Sequence, residues 1–317
     1  MFATLLGGLP WPDGAETADD AVIAAIRAQE AAGLEPLSDG RLRDPGFDGY
    51  VDGIEGLAPP LDVVAQWAFA ASYTDRAVKQ TLPGPYTVGW TAVRDGNAAN
   101  RAEATMRATV RLNESVRALA AAGCALVEIE ETEAHRIGAD IAERALFRDA
   151  HERLTVGNDG VHLSLSIVGS AADGAGAETI LRAPYASLAV DLIAGPDNWN
   201  LVVRTPGDRG IVVGALSTRA PAEPKEILLW GAHYAASTAG RGIDRVGLGS
   251  AGSWASLEWP EAQRRMRALG EAARLAGMPP SEELRRSLDP KAVSARRAAL
   301  GHRAPPAPPA PPKREPR

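Results

Sequence analysis

Short apolar runs alternate with amphipathic stretches along almost the whole chain. Eight runs have the length and pattern of strands: residues 4–10, 35–41, 79–90, 125–131, 161–167, 187–193, 210–216 and 245–250. Helical patterns follow them, over residues 19–33, 59–73, 97–122, 132–153, 176–183, 196–204, 223–239 and 260–276. Strands that each lead into a helix favour an all-parallel sheet, and eight such units predict a single closed (β/α)8 barrel, the TIM barrel.

The composition changes at residues 277–280, so the barrel is assigned to residues 1–281 and a separate tail to residues 282–317. Residues 281–300 have the pattern of a basic helix. The final stretch, "APPAPPAPPKREPR", favours polyproline II and has nothing to bury, which predicts a disordered Pro-rich tail.

Alternation within the predicted strands indicates which side chains face the inside of the barrel. In "VHLSLSI" and in the fourth and sixth strands, apolar residues take every second position and are expected to face the helices. The positions between them face inward: Glu128, Glu130, His162, Ser164, Ser166 and Asp191. Charged groups there are costly unless they pair with each other or meet a ligand, so both a buried ion-pair network and a functional site stay open.

Active sites of such barrels lie at the carboxyl ends of the strands. This rule adds Gly8 and Trp11 after the first strand, and Asp39 and Arg41 in the second. It also adds Ser217, Arg219 and Ser250 at the ends of the last two strands. Arg41 and Arg219 are suited to clamp a carboxylate or phosphate, although surface salt bridges are an alternative role for them.

Charge and cysteine content argue against several classes of partner and site. The net charge is −6, and because residues 282–317 hold nine Lys or Arg against four Asp or Glu, the body of the chain is strongly acidic. An acidic body argues against nucleic acid as a partner. The one cysteine, Cys124, excludes an internal disulfide and a multi-thiolate metal site.

No signal peptide or membrane span is evident, so a cytoplasmic protein without a membrane partner is predicted. Its oligomeric state stays open.

Ordered segments of the chain resemble a known family. "LPGPYTVGW" is similar to L-T-G-P-V-T-x-x-x-W, "AGCALVEIEETEA" to A-G-x-x-x-I-Q-I-D-E-P-A, and "GIVVGALSTRAPAEPKEI" to G-x-V-Y-D-I-H-S-P-R-V-P-S-x-E-E-I. These motifs resemble the C-terminal catalytic barrel of cobalamin-independent methionine synthase, in the superfamily that also holds uroporphyrinogen decarboxylase. The resemblance covers about residues 4–276.

The family binds zinc through a histidine and a cysteine of the fifth strand, a glutamate of the sixth and a cysteine of the eighth. The matching positions here are His162 and Ser164 (or Ser164 and Ser166), then Asp191 and Ser250. Serine hydroxyls are poor zinc ligands beside thiolates. Arg41 stands for a family glutamate, Glu130 for the aspartate of I-D-E-P and Leu216 for a proton-shuttling histidine.

These departures favour a divergent, metal-free enzyme acting on a small anionic substrate. We expect His162, Glu130 and Asp191 to supply general acid/base groups. The expected substrate-binding residues are Gly8, Trp11, Asp39, Arg41, Glu128, Ser164, Ser166, Ser217, Arg219 and Ser250. No cofactor is expected, and zinc is the alternative. The alternative functions are methyl or alkyl transfer to a thiol by a methionine-synthase-type enzyme, and small-molecule binding by a non-catalytic pseudoenzyme.

Overall fold

Parallel strands alternate with helices in the computed structural model, which describes residues 1–93 and 97–278. The strands are β1 (Phe2–Thr4), β2 (Gln80–Pro83), β3 (Leu126–Glu131), β4 (His162–Ile167), β5 (Ser187–Asp191), β6 (Gly210–Leu216) and β7 (Val246–Ser250). Within the described residues they form one seven-stranded sheet in the order β1-β7-β6-β5-β4-β3-β2, with every pair parallel. The sheet curls as in a TIM-like barrel, and the predicted α/β class is confirmed.

Helices and short 3-10 turns fill the connections between the strands. The helices are α1 (Ala18–Ala31), α2 (Asp48–Glu55), α3 (Val63–Ala71), α4 (Pro85–Ala92), α5 (Ala98–Ala121), α6 (Ile141–Thr155), α7 (Ala177–Ile180), α8 (Trp199–Arg204), α9 (Lys225–Ser237) and α10 (Trp259–Ala276). The start of α1 follows from its sequence, because Thr17 and Asp20 form a reciprocal capping box and Val22 and Ile26 bury the same face.

The predicted second strand, residues 35–41, is irregular. Pro36 has no N–H to donate, and only isolated bridges form there. The N–H of Glu35 nevertheless donates to the carbonyl of Ala3 at 2.8 Å, and Leu37 exchanges hydrogen bonds with Ala77 and Lys79 at 2.8 and 2.9 Å. Residues 35–37 therefore connect the two edges of the sheet, where eight regular strands were expected and seven are found among the described residues.

Other boundaries differ from the sequence prediction for local reasons. The first strand comprises Phe2–Thr4 rather than residues 4–10, because Gly7 adopts a φ of +79° that ends the extended chain. The predicted strand over residues 79–90 splits into β2 and α4, since Pro85 occupies the first turn of a helix, where its missing N–H costs nothing. Helix α2 was not predicted.

Two apolar clusters confirm the predicted alternation of the strands. Val127, Leu165 and Val190 belong to the main core between sheet and helices. Leu6, Val168, Ala189 and Val212 form a separate inner cluster, on the concave side of the sheet. Glu128, Glu130, Ser164, Ser166 and Asp191 share the phase of the inner residues and are at most 3% exposed. The inner face therefore places buried charges beside apolar packing.

The predicted basic helix over residues 281–300 and the Pro-rich tail lie outside the described residues. Within residues 1–93 and 97–278, no helix combines the length and the apolar character needed to cross a bilayer.

Candidate functional site

The carboxyl ends of β3 and β4 bring Glu130 and Ser166 side by side. The two residues are paired in register, and their side chains point to the inner face of neighbouring parallel strands, which lie about 4.8 Å apart. Arg41 reaches the same place from the loop that follows residues 35–37. Its Nη1 donates to Glu130 Oε1 at 2.6 Å, and the two side chains are only 11% and 1% exposed. We call Arg41, Glu130 and Ser166 the mouth cluster.

A strained turn aims Arg41 at Glu130. Gly40 and Arg41 have φ values of +71° and +53°, and this left-handed region is unfavourable for a residue with a side chain. The Asp39 carboxylate accepts the N–H of Arg41 at 2.9 Å and holds the turn, while burial raises the pKa of Asp39. The guanidinium also lies over the Phe47 ring, 4.3 Å from its centroid. Strain of this kind costs on the order of 1–3 kcal/mol and is concentrated at functional sites.

Each member of the mouth cluster keeps one buried polar atom without a protein partner. These atoms are Arg41 Nε, Glu130 Oε2 and Ser166 Oγ. Native proteins satisfy most buried polar atoms, so three orphans in one place indicate room for polar groups of a ligand or for water. Burial raises the pKa of Glu130, and the Arg41 charge opposes that shift. The cluster thus combines a fixed cation with a carboxyl group that tends to hold its proton.

Gly8 leaves space beside Arg41. A Cβ at this position would lie 3.4 Å from Arg41 Nε and 3.5 Å from Ser253 Oγ. The carbonyl of Gly8 accepts hydrogen bonds from the Trp254 N–H at 2.8 Å and from Ser253 Oγ at 3.2 Å. Trp11, in contrast, is 49% exposed and donates its indole N–H to the carbonyl of Ala15. The structure therefore places Gly8 beside the mouth cluster and turns Trp11 toward its own loop.

Asp191, at the end of β5, holds the following turn. Its carboxylate accepts the N–H groups of Ile193 and Ala194 at 2.8 Å each, and that of Gly169 at 3.4 Å. Burial raises the pKa of Asp191, and these hydrogen bonds and the nearby Arg219 charge oppose that shift. Most of the hydrogen-bonding capacity of this carboxylate is thus used by the backbone.

The loop after β6 is fixed by internal hydrogen bonds. Ser217 donates its hydroxyl to Glu223 at 2.6 Å and its N–H to the same carboxylate at 2.9 Å. The Arg265 guanidinium donates to the carbonyls of Ser217 and Arg219. The structure therefore gives Ser217 a positioning role in this loop.

Ser250, at the end of β7, is occupied by the chain that follows β1. Its hydroxyl oxygen accepts the Leu6 N–H at 2.6 Å and lies 2.8 Å from the Leu6 carbonyl, to which it donates. The hydroxyl thus ties neighbouring strand ends together.

His162 and Ser164 are not brought to the mouth cluster. His162 is the first residue of β4, five residues before the carboxyl end, which corresponds to about 16 Å along the strand. Its Nε2 lies 2.8 Å from Ser187 Oγ, the ring is partly exposed, and partial desolvation lowers the pKa of His162. The expected grouping of His162 with Glu130 and Asp191 is therefore wrong, since these residues lie at opposite ends of their strands. The apolar alternation indicates which face of the sheet a side chain occupies, but it does not indicate the position along the strand.

Glu128 lies one step below Glu130 on the same face of β3. Its carboxylate accepts a hydrogen bond from Lys79 Nζ at 2.7 Å, and Lys79 also donates to the Leu5 carbonyl at 2.6 Å. Both side chains are at most 2% exposed. Sequence reasoning missed Lys79, although its position just before the apolar strand β2 was a signal that it pointed inward with a partner.

The family comparison bears on β2, β3 and β4. Residues 51–175 match the family model described as the catalytic domain of cobalamin-independent synthase, a segment that includes Glu130 and Ser166. The chain resembles the cobalamin-independent methionine synthases. Arg41, Asp191 and Ser250 lie outside the matched segment. No curated protein matches the sequence.

Solved structures extend this methionine-synthase-like fold to most of the chain. A B12-independent methionine synthase from Shewanella sp. W3-18-1, in complex with selenomethionine, has a TM-score of 0.73 at 16% identity, covering 86% of this chain and 96% of its own. A putative vitamin-B12-independent methionine synthase from Listeria monocytogenes has a TM-score of 0.69 at 15% identity, covering 88% and 98%. A methyltransferase from Methanosarcina mazei has a TM-score of 0.61 at 15% identity, covering 86% and 94%. These likenesses show a shared fold.

The positions that the methionine synthase resemblance assigns to zinc do not form a matching donor set here. His162 lies at the far end of β4, the Ser250 hydroxyl is engaged by the backbone, and Ser166 offers a hydroxyl in place of a thiolate. Within residues 1–93 and 97–278, no three His, Cys, Asp or Glu side chains are placed to share a metal ion. The residues therefore fit a zinc ion of the family's type poorly.

A second buried network, on the helix side of this methionine-synthase-like sheet, was also missed from the sequence. The Glu131 carboxylate accepts the N–H groups of Tyr86 and Thr87 at 3.0 and 2.7 Å, at the start of α4. His151 Nε2 lies 2.9 Å from the same carboxylate, and its Nδ1 lies 2.6 Å from the Tyr185 hydroxyl. This network positions α4 and does not reach the mouth cluster, because Glu130 and Glu131 point to opposite faces of β3.

Proposed function

We propose that this protein is a metal-free enzyme that binds a small anionic substrate at the carboxyl ends of its strands. In this proposal the fold is a closed (β/α)8 barrel, with residues 35–37 in the place of the second strand. The hydrogen bonds from this segment to both edges of the sheet support that closure. The same proposal holds that the protein is cytoplasmic, that it does not bind nucleic acid and that it uses no cofactor.

The buried Arg41–Glu130 pair, with three unpartnered polar atoms around it, is the observation that carries the proposal. A buried ion pair costs desolvation energy and therefore stabilises a fold only weakly. Its contribution to stability alone does not explain why the strained backbone turn at Arg41 is maintained. A substrate anion that meets Arg41 Nε and Ser166 Oγ would satisfy both orphan donors. Gly8 provides the space for that anion next to the guanidinium.

Substrate binding would also prepare Glu130 for proton transfer. In the free protein the Arg41 charge holds the pKa of Glu130 below the level that burial alone would set. A bound anion shares the guanidinium, weakens this effect and so raises the pKa of Glu130 further. The protonated carboxyl then acts as a general acid, and Arg41 stabilises the carboxylate that remains after the proton has moved. Asp191 and Asp39 serve by holding the loops around the cluster.

Simple anions test the binding step. Acetate and inorganic phosphate are titrated against the wild-type protein and against Arg41→Gln and Arg43→Gln. Arg43 is a matched control, because it also pairs with a carboxylate, Asp19 at 2.6 Å, and lies over a ring, that of Phe69. We expect Arg41→Gln to weaken anion binding by tenfold or more and Arg43→Gln to leave it unchanged. Equal binding by all three proteins would contradict the proposal.

Turnover is tested with the protein's own ligand. Small molecules that co-purify with the full chain are identified by native mass spectrometry, and their conversion is followed in wild type, Glu130→Gln and Glu133→Gln. Glu133 is the control, since it lies just after β3 and pairs with Arg136 outside the mouth cluster. We expect Glu130→Gln to reduce the rate about 100-fold or more, as for loss of a general acid, and Glu133→Gln to retain it. Conversion by Glu130→Gln at the wild-type rate would exclude a proton-transfer role.

Methyl or alkyl transfer to a thiol is the second candidate, and the family match over residues 51–175 favours it. Stoichiometric zinc in the purified protein, together with alkylation of an added thiol, would support this candidate against the metal-free enzyme. Binding without conversion of any co-purified molecule would favour the third candidate, a pseudoenzyme.

A further inference from the structure

A cavity of about 420 Å³ opens at the amino ends of the strands, the end of the barrel opposite the mouth cluster. Its walls include Phe2, Leu126, Ile211 and Val212, and its polar lining includes Ser164 and Glu128. The volume lies within the range of small-molecule pockets, about 300–1,000 Å³. His162 and Ser187, joined by their 2.8 Å hydrogen bond, line the cavity near the start of β4 and β5. We call this the amino-end cavity.

Ser164 gives the cavity an unmet polar requirement. Ser164 lines the cavity and is only 3% exposed. Its hydroxyl has no protein partner. A buried hydroxyl without a hydrogen bond costs about 1–3 kcal/mol, which a ligand or a water molecule can recover. The polar neighbours of Ser164 in register are Glu128 on β3 and Ser187 on β5, and the Ser187 hydroxyl is already hydrogen-bonded to His162.

The Glu128 carboxylate retains acceptor capacity toward the same space. One of its oxygens accepts a hydrogen bond from Lys79 at 2.7 Å, and the other has a single long contact of 3.4 Å with Thr81 Oγ1. A ligand hydroxyl can therefore donate to Glu128 and accept from Ser164 at once. A carboxylate or phosphate cannot donate to Glu128 and would be repelled by it.

We propose that the amino-end cavity is a second binding site, separate from the mouth cluster, for small molecules with an apolar body and one hydroxyl group, that is, alcohols and phenols. The apolar walls contact the body of the ligand, and Ser164 and Glu128 bind its hydroxyl. The lining also carries Asp208, Asp244 and Arg245 near the opening, and with the Lys79–Glu128 pair its formal charges sum to −1, which disfavours an anionic ligand. The proposal does not depend on the function assigned to the mouth cluster.

The test uses two probes of nearly equal size, 4-fluorophenol and fluorobenzene, titrated against the full chain by ¹⁹F NMR. Wild-type protein should bind 4-fluorophenol more tightly than fluorobenzene. Ser164→Ala should weaken 4-fluorophenol about two- to tenfold, the effect of one net hydrogen bond, and leave fluorobenzene unchanged. Equal loss for both probes, or no loss for either, would overturn the assignment of the hydroxyl contact.

A blocking variant locates the site without touching the buried residues. Ala186 lines the cavity, is exposed, and makes only backbone hydrogen bonds, with Leu163 and Gly210. Ala186→Trp should raise the dissociation constant of both probes at least tenfold, whereas Ala142→Trp, at an exposed position on α6, should not change it. Unfolding temperatures verify that both variants fold. Binding that survives Ala186→Trp, or no wild-type binding at millimolar probe, would overturn the proposal.

Discussion

Arg41 and Glu130 are 89 positions apart in the chain and form a hydrogen-bonded ion pair. Each residue is held in place at a free-energy cost that the ion pair only partly offsets. Arg41 adopts a left-handed backbone conformation, and Glu130 loses nearly all of its hydration. The sequence identified both residues as candidates, from strand phase and from the rule for carboxyl ends. Their direct contact could not be predicted, because it depends on the turn at residues 39–41, which the sequence pattern treated as a strand.

The raised pKa of Glu130 makes a prediction about stability and pH. A carboxyl group whose pKa is higher in the folded state binds more protons when folded, so its contribution to stability is complete at low pH and is lost as the pH rises. The loss begins near the ordinary value of 4.5 and continues through the folded value. Relative to Glu130→Gln, wild type should therefore lose stability with rising pH, by at most about 1.4 kcal/mol per pH unit.

Urea unfolding of wild type and Glu130→Gln between pH 4 and pH 8 measures this difference. Buried Asp39 and Asp191 also have raised pKa values, but they are present in both proteins and cancel in the comparison. If wild type instead gained stability over the variant as the pH rises, the pKa of Glu130 would have to be lowered in the folded protein.

At the scale of elements, α4 depends on a carboxylate from the sheet. Glu131 binds the first N–H groups of α4, where the helix has no intrahelical acceptors and a partial positive charge. Gly84, just before α4, fits because a Cβ there would lie 2.1 Å from the Glu131 carboxyl carbon. The sequence predicted a continuous strand here, since a buried helix of eight residues has no polar face that would reveal its period.

Removal of this carboxylate should destabilise the protein strongly. Glu131→Ala leaves buried N–H groups and His151 without their partner, and we expect a loss of about 3–5 kcal/mol. Asp140→Ala is the comparison, because Asp140 caps α6 in the same way but is exposed, and an exposed cap contributes only about 1 kcal/mol. Chemical denaturation measures both losses. Similar losses for the two variants would show that Glu131 acts as an ordinary cap.

At the scale of the whole molecule, the sequence predicted the last five strand–helix units well and the contacts between the two edges of the sheet poorly. Buried parallel strands such as β4, β5 and β6 are marked by apolar alternation, and their helices by caps and period. The sheet edges are joined by single contacts between distant segments, which leave no periodic signal in the sequence. Residues 35–37 supply some of them, and Lys79 supplies another by donating to the carbonyl of Leu5 just after β1.

The Lys79–Glu128 pair allows a test of what stabilises the contact between the two sheet edges. Lys79→Met should cost about 3–5 kcal/mol, because it leaves the buried Glu128 charge without its counterion and the Leu5 carbonyl without a donor. The double variant Lys79→Met/Glu128→Met should recover at least half of that loss, since the desolvation of both charges is then relieved. Arg153→Met, which removes an exposed pair with Asp149, should change stability by less than about 1 kcal/mol. If the double variant were less stable than Lys79→Met alone, the ion pair itself would stabilise the contact between the two sheet edges, and the apolar packing of the inner face would not suffice to hold them together.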